Sequence, residues 1–449
     1  MRIGGVLYSG SVEIHRDASD WTHHRHHEDD RYNDVILHVA LSARTSTTAN
    51  RTRSGRPLPV MLLGRHLDGG SLLRQARWNP PRPAPVEQAL PCASVNELMP
   101  ADLLLGWLTR LGNERLARTS LRWGQRLTAL LDEMRDPGGA HTGAIADRAA
   151  VHHARSDFVS PVLWNQALYE ALMEGLGYAK NRQAFRTLAR TIPLASLRRL
   201  GLDNTDSILA VFFGSSHLLP DPGALEDPLV QRYAAELRDR WGALSHAFPP
   251  TPLHASDWLF FRLRPANAPT ARIAAFAHAI PVIFRSGFHG CLDILRSATS
   301  IEDAVRRLRN ILVVRAGGFW RYRTSFEGSA MGCGSAIGRG RATEMLVNAI
   351  LPLSLRFADT FGDAALRNAV QAILQDGPAA PPHRLLSRMH ADLFHGPCAA
   401  DSPLLSQGAI ALYRDYCVRL RCRACAVGVA CGFVRSSVAS SWPRERGCC

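Results

Sequence analysis

The sequence predicts an α+β protein in which a small, β-rich N-terminal α/β module precedes a large, mostly α-helical domain. Three observations carry this reading. Strand-like alternation is confined to the first part of the chain, prolines crowd Trp78 to Pro91, and from Val95 onward apolar residues recur at helical spacing. The boundaries drawn from them are a β-rich module at 1–78, a Pro-rich linker at 79–94, a helical domain at 95–433 and a disordered tail at 434–449.

Taken in order, Val12 to His15 and Val35 to Val39 are short β-branched runs of the kind that form strands. Between them lies a loop rich in His and Asp, which Trp21 and Tyr32 are expected to pack onto the sheet. The prolines of the linker can continue neither a helix nor a central strand. Leu103, Leu104, Trp107, Leu108, Leu111 and Leu116 then mark one face of a helix, with Asn96 as its expected cap and Asp136-Pro137-Gly138 as its stop. Further helical patterns fall at 164–175, 182–189, 228–240, 271–280, 301–313, 343–358, 364–374 and 404–416, with no fixed-period repeat.

The chain has 449 residues, enough for two or three domains, and 46% of them are hydrophobic, which argues against global disorder. No apolar run reaches the roughly 18 residues of a membrane helix, and the N-terminus lacks a secretion pattern. The expectation is therefore a soluble cytoplasmic protein without a membrane partner. A net charge of +14, from 53 basic and 39 acidic residues, points toward polyanions such as DNA or RNA. Lys180 is the only lysine, so arginine codon bias contributes to that balance.

Three groups of residues carry candidate chemistry. Alternation puts Glu13 and His15 on one face of their strand, and the following loop offers His24, His26, His27 and Asp29. A carboxylate with several imidazoles suits Mn²⁺ or Zn²⁺ better than Mg²⁺; the same residues also fit a half-exposed strand and a polar, hydrogen-bonded loop. Cys417, Cys422 and Cys425 form C-x4-C-x2-C, a metal knuckle one ligand short of a closed zinc or iron–sulfur site, with Cys431 as a local fourth candidate. Finally, Arg262, Arg264, Arg272, Arg321 and Arg323 lie beside Pro- and aromatic-rich turns, where guanidinium groups suit phosphates, or else carboxylates of neighbouring helices. The Gly-rich segment 332–340 lacks the lysine of a phosphate-binding loop.

The order G-x-V-E-I-H from Gly10, S-D-W, H-x-H-H-x-D from His24 and Y-N-x-V-I-L-H-V from Tyr32 resembles a bacterial family known as domain of unknown function 2851. The likeness recurs at Leu90-Pro91-Cys92, at G-Y-A-K-N-R from Gly177, across 261–276, at Tyr322-Arg323, at N-A-I-L-P from Asn348 and at Y-C-V-R-L-R-C-R-A-C-A-V-G ending at Gly428. It implies Cys92 as the fourth ligand of a [4Fe–4S] or zinc site with Cys417, Cys422 and Cys425. By analogy with PD-(D/E)xK nucleases, Glu13 becomes a ligand of a divalent cation (Mg, Mn or Zn) and His15 a base or second ligand. Relatives carry a G-P-D-F-like segment upstream that would supply the Asp of such a site, so the expectation for this chain, which opens at Met1-Arg2-Ile3, is either a start further upstream or an incomplete nuclease-like module. The leading functional expectation is a nucleic-acid-processing protein of nuclease type. The alternatives are a non-catalytic nucleic-acid-binding or scaffold protein, and a metal-dependent hydrolase of small molecules.

Overall fold

The computed structural model describes residues 2–3, 6–7, 10–43, 50–63, 90–96, 99–135, 153–178, 180–260, 263–327, 334–380, 384–394 and 402–433. The chain divides into two compact units, Met1–Arg82 and Pro83–Cys449. Most of the expected linker and all of the expected tail lie outside the described residues.

In the N-terminal unit, β1 (Arg2–Ile3) pairs antiparallel with β2 (Val6–Leu7). A separate three-stranded sheet joins β3 (Ser11–Asp17), β4 (Val35–Ser42) and β5 (Val60–Leu62), all parallel, with β4 in the middle. Parallel neighbours cannot be linked by a tight hairpin, so residues 18–34 cross over, carrying α1 (Asp20–His23) and two single 3-10 turns, His26–Glu28 and Asp30–Tyr32. Trp21 anchors that crossover. It is buried against Val35 and Leu58, and its Nε1 donates to the Arg51 carbonyl at 3.0 Å. Register sets Glu13 beside His38 and His15 beside Ala40. Period-two alternation therefore gathers the polar residues on one face, while Val12 and Ile14 on the other are 41% and 70% exposed.

The second unit is helical. Its elements are α2 (Ala101–Arg135), α3 (Pro161–Leu176), α4 (Arg182–Thr191), α5 (Leu194–Leu200), α6 (Thr205–Ser215), α7 (Pro228–Leu244) and α8 (Pro269–Ser297), followed by α9 (Ile301–Leu312). A two-residue antiparallel pair, β6 (Val314–Arg315) with β7 (Ala336–Ile337), leads to α10 (Arg339–Met345), α11 (Leu351–Phe361), α12 (Ala364–Asp376), α13 (Arg384–Phe394), α14 (Pro403–Leu412) and α15 (Ala426–Ala430). Helices α3, α6 and α8 are sheathed by their neighbours; Trp164, Tyr169, Phe212, Phe213 and Phe276 are fully buried. A π turn over Leu346–Ile350 joins α10 to α11, where Pro352 withholds an N–H and its ring would crowd the carbonyl of Asn348.

Two glycines govern packing. Gly287 takes φ 62° and breaks α8, and the Asn165 carboxamide occupies the space a Cβ would need. Gly408 of α14 lies directly against the Leu108 carbonyl of α2, so these two helices touch backbone to backbone. The expected cap does different work. The first turn of α2 begins after Pro100, and buried Asn96 instead donates to the Asp392 carbonyl at 2.9 Å, tying its own turn to α13.

Candidate metal centre

The crossover geometry builds a histidine cluster. Arg25, with a left-handed φ of 57°, separates α1 from the first 3-10 turn and leaves His24 and His26 flanking the reversal. Both rings meet His15, which rises from β3. His15 Nε2 lies 3.2 Å from His26 Nε2 and 3.4 Å from His24 Nδ1. Among the described residues, these are the three that bring donor atoms within 4.8 Å of one another. Glu13 Oε1 stands 3.6 Å from His15 Nε2 and 4.0 Å from His26 Nε2.

These separations have a chemical meaning. A metal with nitrogen bonds of roughly 2.0–2.1 Å holds tetrahedral ligands about 3.3 Å apart, edge to edge. One ring N–H cannot serve two other ring nitrogens at once, whereas a cation between them satisfies all three lone pairs. The donor set is thus suited to a borderline transition metal rather than Mg²⁺. His26 is buried, His15 half-buried and His24 exposed, so the cluster opens to solvent on the His24 side.

Behind the cluster sits His38. It is fully buried on β4, with its Nε2 2.9 Å from His15 Nδ1 and its Nδ1 2.8 Å from Asn50 Nδ2. Burial lowers the pKa of His15 and pushes that of His38 down to about 4, so both rings are neutral near neutral pH, as ligation requires. For His15 Nε2 to present a lone pair, its Nδ1 must donate to His38, and His38 Nδ1 must donate to the oxygen of a turned Asn50 carboxamide. As the carboxamide stands, Asn50 Nδ2 donates to His38 Nδ1 and the chain runs the other way; half a turn of that group gives His15 the outer support found behind metal-ligating histidines. Alternation along β4 sets His38 opposite Leu37 and Val39, whereas Asn50 lies in a connection without periodicity and carries no sequence signal.

His27 and Asp29 stand apart from the centre. His27 Nε2 faces Glu28 at 3.4 Å. Asp29 pairs with Arg31, whose hydrogen bond holds the Asp29 carboxyl at about 2, and it accepts from the Arg31 backbone at 3.1 Å to cap the second 3-10 turn.

The cysteines gather in the helical unit. Cys92 is held in a turn clamped by Asp392, which accepts from Leu90 N at 2.9 Å. Cys417 ends a π turn, Tyr413–Cys417, that extends α14; Cys422 begins a 3-10 turn and Cys425 precedes α15. Burial pushes the Cys92 thiol up to about 12, helped by Cys431, Cys425 and Cys422. It also raises Cys417, with Cys425, Cys92 and Cys422 adding to the effect. Cys92 and Cys425 lie in one apolar cluster, against which Cys417 and Cys431 pack.

The five arginines divide. Arg272 is buried, donating to the Ala336 carbonyl at 3.0 Å and to Asn267, and Arg323 pairs with Asp227 at 2.7 Å, so these two hold helices and loops together. Arg264 and Arg321 are exposed, and Arg262 lies outside the described residues.

No helix among the described residues is long and apolar enough to cross a membrane. Neither a curated protein nor a solved structure matches the chain. A family model does match, over residues 1–135 and 159–380, which takes in the histidine block and Cys92 and stops short of Cys417. The chain belongs to the family described as Protein of unknown function (DUF2851).

Proposed function

We propose that the N-terminal unit holds a transition-metal centre that hydrolyses nucleic-acid phosphodiesters. The observation that carries the reading is the separation of three imidazole nitrogens, 3.2 and 3.4 Å around His15 Nε2, which matches the edge of a tetrahedral coordination shell. His15, His24 and His26 hold the cation. Glu13, set farther off at 3.6 and 4.0 Å, is placed to take a proton from an attacking water rather than to complete the shell. When bound, the metal supplies charge to a phosphoryl oxygen and lowers the pKa of water. The net charge of +14 supports a polyanionic substrate.

Cleavage of labelled DNA and RNA by the full chain in Mn²⁺ or Zn²⁺ tests this. Activity abolished by chelation and cut by about 100-fold or more in Glu13→Gln is expected, given the usual contribution of a general base. Equal product from the wild type and the variant would reject catalysis and leave a nucleic-acid-binding protein.

We further propose that Cys92, Cys417, Cys422 and Cys425 hold a [4Fe–4S] cluster with a structural role. Cys92 and Cys425 lie in one apolar cluster with Cys417 packed against it, and C-x4-C-x2-C with one further cysteine is a ligand set that thiolate-held clusters use. Purified protein containing iron and acid-labile sulfide, both lost in Cys92→Ser, is the expected result. Zinc in their place would overturn it.

A further inference from the structure

One face of the helical unit is crowded with arginine. Arg115, Arg118, Arg122 and Arg126 follow one another on α2 at spacings of three and four residues, a stripe about 16 Å long at 1.5 Å per residue. Helix α4 contributes Arg182, Arg186 and Arg190 at a spacing of four. Helix α3 lies between them and supplies buried Glu170 and Glu174. Glu174 takes Arg122 at 2.7 Å and Arg186 at 3.1 Å, while Glu170 takes Arg126 at 2.8 Å and Arg190 at 3.5 Å.

Glu133 adds a second carboxylate to Arg126 at 2.6 Å and Arg182 reaches Glu174 at 3.9 Å, so these pairings position the stripe and still leave arginine in excess. Arg115 finds a neutral partner, Gln407 Oε1 at 2.6 Å, and Arg118 meets Asp415 at 2.8 Å beside exposed Arg414. The surplus is felt by its members: burial, then Arg414, Arg182 and Arg118, brings the Arg115 pKa down to about 10. At the Arg126 end the stripe opens into a cleft of about 410 Å³. Its apolar walls come from Leu130, Val162, Pro193 and Leu194, and its side is lined by Arg126, Arg190 and Arg198 with Glu133, which pairs with Arg126 at 2.6 Å.

We infer that this surface binds a single nucleic-acid strand, with phosphates on the arginine stripe and a base in the cleft. Guanidinium forks match phosphate oxygens, and the stripe is long enough for several successive phosphates. An apolar cleft edged by arginine takes an unstacked base, which a duplex keeps inside its stack. The inference rests on the nucleic-acid reading of the proposed function and supplies its strand specificity and a binding surface.

The test is fluorescence anisotropy of the full chain with a labelled DNA strand, the matching RNA strand and a blunt duplex, all in EDTA so that no cleavage occurs. Arg118→Ala/Arg198→Ala/Arg414→Ala removes exposed arginines that make no pair with Glu170 or Glu174. Its expected effect is a loss of at least about tenfold for the single strand and a log–log salt slope shallower by about 2, at roughly 0.7 per phosphate contact. Arg264→Ala/Arg306→Ala/Arg321→Ala, which removes equal charge elsewhere, is expected to stay within about twofold by the same arithmetic. Ala195→Trp, which fills the cleft, is expected to abolish the preference for strand over duplex. Equal losses in the two triple variants, tighter binding of the duplex, or no binding by the wild type would overturn the inference. Binding that behaves as expected without Glu13-dependent cleavage would count against the metal-centre proposal alone. Cleavage with unaltered binding in the first triple variant would count against the stripe alone.

Discussion

Asn50 and His38 decide how His15 presents itself, because the ring of His15 can offer a lone pair outward only if its inner nitrogen donates. Asn50→Ala removes the carboxamide whose oxygen, once turned toward His38, accepts at the end of that chain, and is expected to weaken Co²⁺ or Zn²⁺ binding at the histidine cluster by about 10–100-fold in competition with a chromophoric chelator. Asn50→Asp, a permanent acceptor, is expected to bind at least as tightly as the wild type, which a merely structural role would not produce. Equal weakening in both would reject the role. In the helical unit, burial opposes ionisation of Glu174, but hydrogen bonds from Arg186 and Arg122 outweigh it and leave the pKa below the ordinary 4.5. A carboxylate depressed on folding stabilises above that range and loses its contribution as pH falls. Glu174→Gln should therefore cost about 1–3 kcal/mol at pH 7, reduced from the fully buried case because Arg122 is 43% exposed. In urea unfolding the difference should shrink below pH 4.5; a gap that persists undiminished in acid would refute it. Much of the centre was legible residue by residue. Glu13 and His15 followed from period two, and His24 and His26 from their density, but His27 and Asp29 belong to the same dense block and turn elsewhere, since a 3-10 turn fans successive side chains apart.

The elements themselves were legible where one face is wet. Helices α4, α7, α9 and α12 alternate buried and exposed positions and were expected within a few residues of their observed ends. Helix α6 was not, because its stretch from Ser207 to Ser215 is buried all round, and a helix without a polar face shows no period. The kink at Gly287 and the π turn before α11 are likewise set by tertiary contacts. Close approach of α2 and α14 depends on Gly408, whose missing Cβ makes room for the Leu108 carbonyl. Gly408→Ala is expected to destabilise the helical unit by about 1–3 kcal/mol, the usual result of forcing atoms into a filled interface. Thermal unfolding checks this, and an unchanged or raised midpoint would mean the helices separate at no cost.

Across the molecule, the change from strand to helix texture was visible in composition, whereas the arginine stripe was not. Its members come from α2, α4 and residue 414, and only folding brings positions so distant in sequence onto one face. The two units also imply separate responses to metal. The N-terminal unit has a small core around Trp21, Val35 and Leu58, so a cation bound only by its folded form should raise its stability by about 2.7 kcal/mol at a hundred times the dissociation constant. The central claim is that His15, His24 and His26 together hold one transition-metal ion. X-ray absorption at the zinc edge, on full-length protein loaded with one equivalent of zinc in a Cys417→Ser/Cys422→Ser/Cys425→Ser background, tests it most directly. The predicted result is a first shell of nitrogen and oxygen alone at about 2.0–2.1 Å, with an imidazole scattering pattern that disappears in His15→Ala/His26→Ala. A sulfur-containing shell, or a zinc spectrum indifferent to those two histidines, would contradict it.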